Sequence, residues 1–153
     1  NMLPVNSEAK TAMVTGQQIH DWLEKELENA FAKDPSKRFG GWFVRFKGME
    51  VNFTIGNDYG KRLNWVKVGN VPLDLTKEYS IIACEREGDP EDTLCRVEHV
   101  KNPTKLSILL HDVITEYLKV NSPVSPALEK RATATDVADT LLTQLRGTSY
   151  EFR

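Results

Sequence analysis

The sequence predicts an α+β (α/β-type) fold, in which a mixed, largely antiparallel sheet packs against about three helices. Stripes of apolar residues at helical spacing near both ends of the chain predict the helices. A central stretch in which apolar and polar residues alternate predicts the strands. Because 153 residues suit one domain with its own core, we expect residues 1–153 to form a single domain.

The first helix follows a short strand near the start of the chain. The apolar run Thr11–Val14 predicts the strand, and Thr15 with Gln18 three residues later matches a capping box. The helix then runs from Gly16 to about Lys33, and Asp34–Pro35 ends it. Its apolar positions form one stripe: Ile19, Trp22, Leu23, Leu27, Ala30 and Phe31.

The central strands are predicted from period-two patterns. From Met49 to Ile55 large apolar residues alternate with polar ones, which is typical of a strand with one buried face. Residues 56–60 tolerate turn conformations, so we expect an antiparallel hairpin with residues 63–68. The nearly continuous apolar run Tyr79–Cys84 predicts an interior strand that is buried on both faces.

The last third of the chain is predicted to be mainly helical. An apolar stripe predicts a second helix over about residues 104–120. Residues 123–134, with two prolines, are expected to form an ordered loop or an arm. A third helix is expected to begin at Thr135 or Asp136 and to run to Gly147, and residues 150–152 could add an edge strand.

Charge and hydropathy exclude several classes of function. The net charge of −2 and the scattered basic residues argue against nucleic acid as a partner. No apolar run approaches the roughly 20 residues that a membrane-spanning helix needs. His20, His99 and His111 have no ligand cluster near them in sequence, and no nucleophile elbow or glycine-rich phosphate motif occurs. The chain by itself does not resemble a complete enzyme.

The two cysteines, Cys84 and Cys95, flank a polar segment. A disulfide between them would close this loop and stabilise the fold by about 2–3 kcal/mol in the chain-entropy model. The alternatives are two small buried apolar side chains, or a reactive thiol in an intracellular enzyme. Spacing alone leaves these open.

The polar segment after Cys84 is the first candidate for a site, because loops at the carboxyl ends of strands commonly meet ligands. Its carboxylates could hold a polar or cationic substrate, and Arg86 could bind an anion through two parallel hydrogen bonds. The alternative is a solvated turn. The charged residues of the segment are Glu85, Arg86, Glu87, Asp89, Glu91 and Asp92.

Five pieces of the sequence, in order, resemble the C-terminal domain of the 5′-nucleotidase family, which includes UDP-sugar hydrolases and the related thiosulfohydrolases of bacterial sulfur oxidation. The resemblance covers roughly residues 11–84. The pieces are Met13–Ile19 with Trp22–Glu24, Phe43–Val51, Gly60–Leu63, Val68–Asp74 and Tyr79–Ala83.

The resemblance implies a fragment of a two-domain, periplasmic or otherwise exported hydrolase. An N-terminal metallophosphoesterase domain of the same chain would hold two divalent metal ions that activate water. This fragment, with no cofactor or metal of its own and inactive alone, would bind the part of the substrate that does not react. The implied substrate is a small anion: a nucleotide, a nucleotide-sugar or a thiosulfonate.

The resemblance also suggests site residues. The nucleotidases hold the base between two phenylalanines, in Pro-Phe-Gly-Asn and Asn-Phe-x-x-x-Gly-Gly-Asp-Gly motifs. Asn1 matches the end of the first motif, whereas Arg86 and Asp92 stand at the Phe and Asp of the second, with Pro90–Glu91 in place of its paired glycines. An arginine suits a base or an anion, so a thiosulfohydrolase-like enzyme is one alternative. A non-catalytic binding module is a separate alternative. The expected substrate-binding residues are Asn1, Glu85, Arg86, Glu87, Asp89 and Asp92.

Overall fold

The computed structural model describes residues 6–39, 43–125 and 129–137. The chain divides into two compact units, residues 1–22 with 74–129 and residues 23–73 with 130–153. The elements in chain order are β1 (Glu8–Thr15), α1 (Gly16–Phe31), a 3₁₀ turn (Pro35–Lys37), β2 (Met49–Phe53), β3 (Leu63–Val68), β4 (Val71–Pro72), β5 (Glu78–Cys84), β6 (Lys101–Leu109), α2 (Leu110–Asn121) and β7 (Ala132–Ala134).

The first unit contains a three-stranded antiparallel sheet in the order β5-β1-β6. The predicted N-terminal strand is confirmed as β1 and is longer than predicted. Because β1 lies between two partners, its alternate residues Ala12 and Val14 are almost completely buried. The same alternation places Lys10 on the buried side, with 2% of its surface exposed.

The prediction of an interior strand at Tyr79–Cys84 is wrong. The strand exists as β5, but it lies at the edge of its sheet and alternates between exposed and half-buried residues. Ile82 is 65% exposed. A short apolar run is compatible with both positions in a sheet, so the run alone did not distinguish an edge strand from an interior one.

The second predicted helix is correct only in its second half. Residues 101–109 form β6, and helix α2 begins at Leu110. The spacing of Leu106, Leu109 and Leu110 fits a helix, but β6 pairs with β1, which is about ninety positions away in the sequence. This non-local pairing overrides the local pattern.

The predicted capping box at the start of α1 is confirmed. The Gln18 amide donates to Thr15 Oγ1 at 3.2 Å, and Gln18 Oε1 accepts from the Thr15 amide at 2.8 Å. The next amides of the helix are also paired, because Gly16 N donates to Lys77 O and Gln17 N to Leu75 O, both at 2.9 Å. The turn before β5 is therefore attached to the start of the helix.

The second unit contains a four-stranded mixed sheet in the order β4-β3-β2-β7, in which only β2 and β7 are parallel. The predicted antiparallel hairpin is confirmed as β2 and β3, with Val51, Phe53 and Val66 buried. Two α1 carboxylates hold its turn. Glu24 accepts from the amides of Gly60 and Leu63, and Glu28 pairs with the buried Arg62.

The C-terminal predictions fall partly outside the described residues. The expected arm contains the short strand β7. Asp136, predicted as a helix cap, accepts hydrogen bonds from the amides of Ile55 (2.9 Å) and Gly56 (2.8 Å). These bonds, the one from Gly56 foremost, hold the pKa of Asp136 below its ordinary value. The predicted third helix after residue 137 and the strand at residues 150–152 lie outside the described residues.

The predicted fold class is confirmed, since antiparallel and mixed sheets occur together with helices. The described residues form two sheets rather than the one that was expected, and they contain two α-helices. The single-domain assignment of residues 1–153 stays a prediction. No helix in the described part of the chain has the length and apolar character needed to cross a membrane.

Candidate functional site

The first unit has an open cleft with a volume of about 600 Å³. One wall is residues 85–89, which continue from the end of β5, and the other is residues 6–8 at the start of β1. Lys105 of β6 also lines it. The three neighbouring strands therefore bring together segments that lie far apart in sequence, and the cleft is mainly polar.

Glu85 joins the three strands electrostatically. Its Oε2 lies 2.8 Å from Lys105 Nζ, and its Oε1 lies 3.8 Å from Lys10 Nζ. Its amide donates to Glu8 O at 2.8 Å, which fixes the start of the loop against β1. The hydrogen bond from Lys105, assisted by the charges of Lys105 and Lys10, lowers the pKa of Glu85. The negative charge of the Glu85 carboxylate is thus balanced by two lysines of the protein.

Arg86 is placed differently from Glu85. It is exposed on the cleft wall, and its guanidinium forms no hydrogen bond or ion pair with any described residue. The loop turns sharply after it, with Asp89 N donating to Arg86 O at 3.2 Å and Gly88 at φ 86°. Arg86 is therefore available to bind an anion from solution.

Two carboxylates of the loop, Glu87 and Asp89, also line the cleft. Among the described residues neither side chain has a hydrogen-bond or ion-pair partner. An ionised carboxylate only accepts hydrogen bonds, so these groups suit the hydroxyl or amino groups of a ligand. Beside Arg86 they give the cleft sites for an anion and for hydrogen-bond donors.

The structure brings together four of the six predicted binding residues: Glu85, Arg86, Glu87 and Asp89. Asp92 is not among the residues that line the cleft. Its Oδ2 lies 3.0 Å from His99 Nδ1, and both side chains are exposed. Asn1 lies outside the described residues.

Sequence reasoning missed the two lysines of the site. Lys10 lies in the middle strand and also donates to Glu91 O at 2.5 Å, which holds the far side of the loop. Lys105 lies in β6, a segment that had been predicted as helix. One signal was present, because Lys10 occupies the buried position of an alternating strand, and a buried ammonium group requires a partner.

The candidate disulfide between Cys84 and Cys95 is absent from the structure, and both residues, which are described, are exposed rather than buried. Cys84 ends β5 beside the first residues of β1. The turn that carries Cys95 is held beyond the other end of β1, where Gln18 Nε2 donates to the carbonyl oxygens of residues 98 and 99 at 3.0 and 3.1 Å. The two cysteines are thus anchored at opposite ends of one strand.

No group of three or more His, Cys, Asp or Glu residues in the described ranges is arranged to hold a metal ion.

Comparisons with known proteins agree on one family. The model of the 5′-nucleotidase C-terminal domain matches residues 1–84. The trifunctional nucleotide phosphoesterase protein YfkN of Bacillus subtilis is 27% identical over 137 residues, which are 86% of this chain and 9% of that protein.

Two solved structures from Thermus thermophilus resemble the chain. The sulfate thiohydrolase SoxB is 26% identical, with a TM-score of 0.69 over 87% of this chain and 23% of SoxB. A 5′-nucleotidase precursor, at 20% identity, shares the fold with a TM-score of 0.60 over 88% of this chain and 27% of the precursor. The chain thus spans about a quarter or less of the length of these relatives.

Proposed function

Because the chain belongs to the 5′-nucleotidase C-terminal domain family, we propose that it is the substrate-binding domain of an exported hydrolase that uses two metal ions. The metals and the reacting group would lie in an N-terminal metallophosphoesterase domain of the same polypeptide. This chain would hold the part of the substrate that does not react. Its contribution to catalysis would be binding and orientation.

The single observation that carries the proposal is the guanidinium of Arg86 in the cleft, which pairs with none of the described residues. Glu85, its neighbour, is already satisfied by Lys105 and Lys10, so it does not compete for Arg86. A planar guanidinium offers two parallel donors, which match a phosphate, carboxylate or sulfonate group. The site therefore suits a small anionic substrate such as a nucleotide, a nucleotide-sugar or a thiosulfonate.

Glu87 and Asp89 would complete the recognition. Both carboxylates are free to accept hydrogen bonds from hydroxyl groups on the substrate. Because the same carboxylates repel a second anionic group, they favour substrates whose non-reacting part carries a single negative group, which Arg86 would bind. The substrate would thus be oriented by its ionic contact with Arg86 and by hydrogen bonds that it donates to Glu87 and Asp89.

A thiosulfohydrolase-like function is the second candidate. Arg86 occupies the position where the nucleotidase motif has a base-stacking phenylalanine, and a guanidinium there suits an anionic group as well as a base. The likeness to SoxB, at 26% identity and a TM-score of 0.69, supports this candidate. A non-catalytic binding module is the alternative from another class.

Hydrolysis by the full-length, metal-loaded protein tests these candidates. The substrates are AMP, UDP-glucose, a simple phosphate diester and a thiosulfonate. Turnover of AMP or UDP-glucose supports nucleotidase-like function, and turnover of the thiosulfonate alone supports the second candidate. If the metal-loaded protein turned over none of these substrates, the hydrolase proposal would be rejected. The non-catalytic binding module would then be the remaining candidate.

Arg86→Ala tests the role of the cleft. We expect kcat/KM for the preferred substrate to fall about tenfold to hundredfold, since a hydrogen bond to a charged group contributes about 1.5–3 kcal/mol. Arg45→Ala is the matched control, because Arg45 is an exposed arginine that does not line the cleft. Equal kinetics of the two variants would remove Arg86 from the site.

Export is tested separately from activity. The native full-length protein should be recovered in the periplasmic or extracellular fraction of its cells, because the proposal assigns it to exported enzymes. Recovery with cytoplasmic markers would contradict export without affecting the assignment of the cleft.

A further inference from the structure

One face of the sheet in the second unit combines an exposed aromatic ring with a row of amide and hydroxyl groups. Trp65 on β3 is 43% exposed. Asn52 on β2 lies opposite it, and Thr133 on β7 lies beside Asn52. We call the outward side chains of Asn52, Thr54, Asn64, Trp65 and Thr133 the Trp65 face. It does not include any residue of the cleft.

A β-bulge places two consecutive residues of β3 on this face. Asn64 is an extra residue between Leu63 and Trp65, both of which pair with β2. In a regular strand Asn64 and Trp65 would point to opposite sides of the sheet. Instead, Asn64 Nδ2 donates to Asn52 Oδ1 at 2.8 Å and to Thr54 Oγ1 at 3.1 Å. Bulges recur beside binding sites because they redirect side chains in this way.

The polar side chains of the Trp65 face are fixed by hydrogen bonds to one another and to the neighbouring Thr135. Asn52 Nδ2 donates to Thr133 Oγ1 at 3.0 Å, and the hydroxyls of Thr54 and Thr135 lie 2.7 Å apart. Among the residues that the structure describes, these bonds use one N–H and one lone pair of the Asn52 amide. Its second N–H and second lone pair are therefore available, in a fixed direction, to a ligand that both accepts and donates hydrogen bonds.

The chemistry of the face points to one class of ligand. A sugar ring has an apolar C–H surface that packs on an aromatic ring, and hydroxyl groups that both donate and accept hydrogen bonds. The hydrogen-bonded network of the Trp65 face carries no charge, which suits a neutral ring. We propose that the Trp65 face binds a neutral carbohydrate.

A sugar bound on Trp65 would have to displace Lys67. Its Nζ lies 4.9 Å from the centre of the Trp65 ring. A cation–π contact at an exposed site is weak, so a sugar ring can replace the ammonium group. Lys67 lies opposite Glu50 in the β-ladder, so the charges that flank the face are balanced. The lysine therefore does not convert the face into an anion site.

The proposal is tested by calorimetric titration of the full-length protein with maltohexaose, cellohexaose and chitohexaose, up to about 10 mM. Pull-down on insoluble amylose, cellulose and chitin tests whether the protein binds polysaccharides that are built from the same sugars. We expect at least one of these probes to bind. Failure of all of them to bind would overturn the proposal.

Three variants locate the site. Trp65→Ala and Asn52→Ala should each weaken binding, the former by about tenfold, as expected for loss of an aromatic contact. Tyr59→Ala is the control, because Tyr59 is 59% exposed in the same unit and lies outside the Trp65 face. Hydrolysis by Trp65→Ala should match the wild type. Equal loss of sugar binding in Tyr59→Ala and Trp65→Ala would refute the assignment.

Discussion

Replacing Gly16 by alanine should destabilise the protein, although alanine is the better helix former. A methyl group at Gly16 would overlap the carbonyl oxygen of Asp74, and it would lie 2.8 Å from the carbonyl carbon of Asp74 and 2.9 Å from Leu75 Cα. All three atoms are backbone, so no side-chain rotation can relieve the overlap. The turn at residues 74–77 or the helix must move.

The magnitude follows from two opposing effects. Overfilling a packed contact costs about 1–3 kcal/mol. Movement of the turn also weakens the hydrogen bonds from the amides of Gly16 and Gln17 to Lys77 O and Leu75 O, each of which contributes about 1 kcal/mol. The helix propensity of alanine offsets at most about 1 kcal/mol. We therefore expect the free energy of unfolding to fall by about 2–3 kcal/mol.

Urea denaturation followed by tryptophan fluorescence measures this change. Gln17→Ala is the control at the next helix position, and as an exposed substitution it should change stability by less than about 0.5 kcal/mol. If Gly16→Ala proved as stable as the wild type, helix propensity would outweigh the steric effect. That result would contradict the short distances between the Gly16 position and the backbone of the turn.

Three further predictions concern the rest of the molecule. Arg62→Met should lower the free energy of unfolding by about 2–3 kcal/mol in urea denaturation, because Glu28 loses its partner but is still 25% exposed to water; a change below about 0.5 kcal/mol would contradict the ion pair. The stability difference between wild type and Asp136→Ala should shrink as the pH falls below 3.8, the ordinary pKa, because a carboxylate with a lowered pKa stabilises the fold only while ionised; a pH-independent difference in thermal unfolding would refute this. Cys84 and Cys95 should both be alkylated by iodoacetamide without reductant, since both are exposed and not bonded to each other; a mass showing no added groups until reduction would reveal a disulfide.

Local patterns predicted the elements whose partners are close in sequence. The capping box of Thr15 and Gln18 was found because both of its hydrogen bonds span three residues. The hairpin of β2 and β3 was found because a short turn joins an alternating run to a second apolar run. These features depend on short-range geometry, which the residue order specifies directly.

The errors came from contacts between distant segments. β6 was predicted as part of a helix because its pairing with β1 is invisible to a local pattern. Similarly, Glu85 and Arg86 were recognised from their loop, but Lys105 reaches Glu85 only through the pairing of β6 with β1. The sequence therefore indicated one wall of the cleft. The opposite wall could not be predicted without knowing how the strands pair in the sheet.

The central claim is that Arg86 in the cleft binds an anionic group in the part of the substrate that does not react. A crystal structure of the full-length protein with the product of its preferred substrate tests this claim most directly. A product oxygen should lie within about 3.2 Å of the Arg86 guanidinium, with hydroxyl groups near Glu87 or Asp89. A product that is bound in the protein without contact to residues 85–89 would contradict the claim.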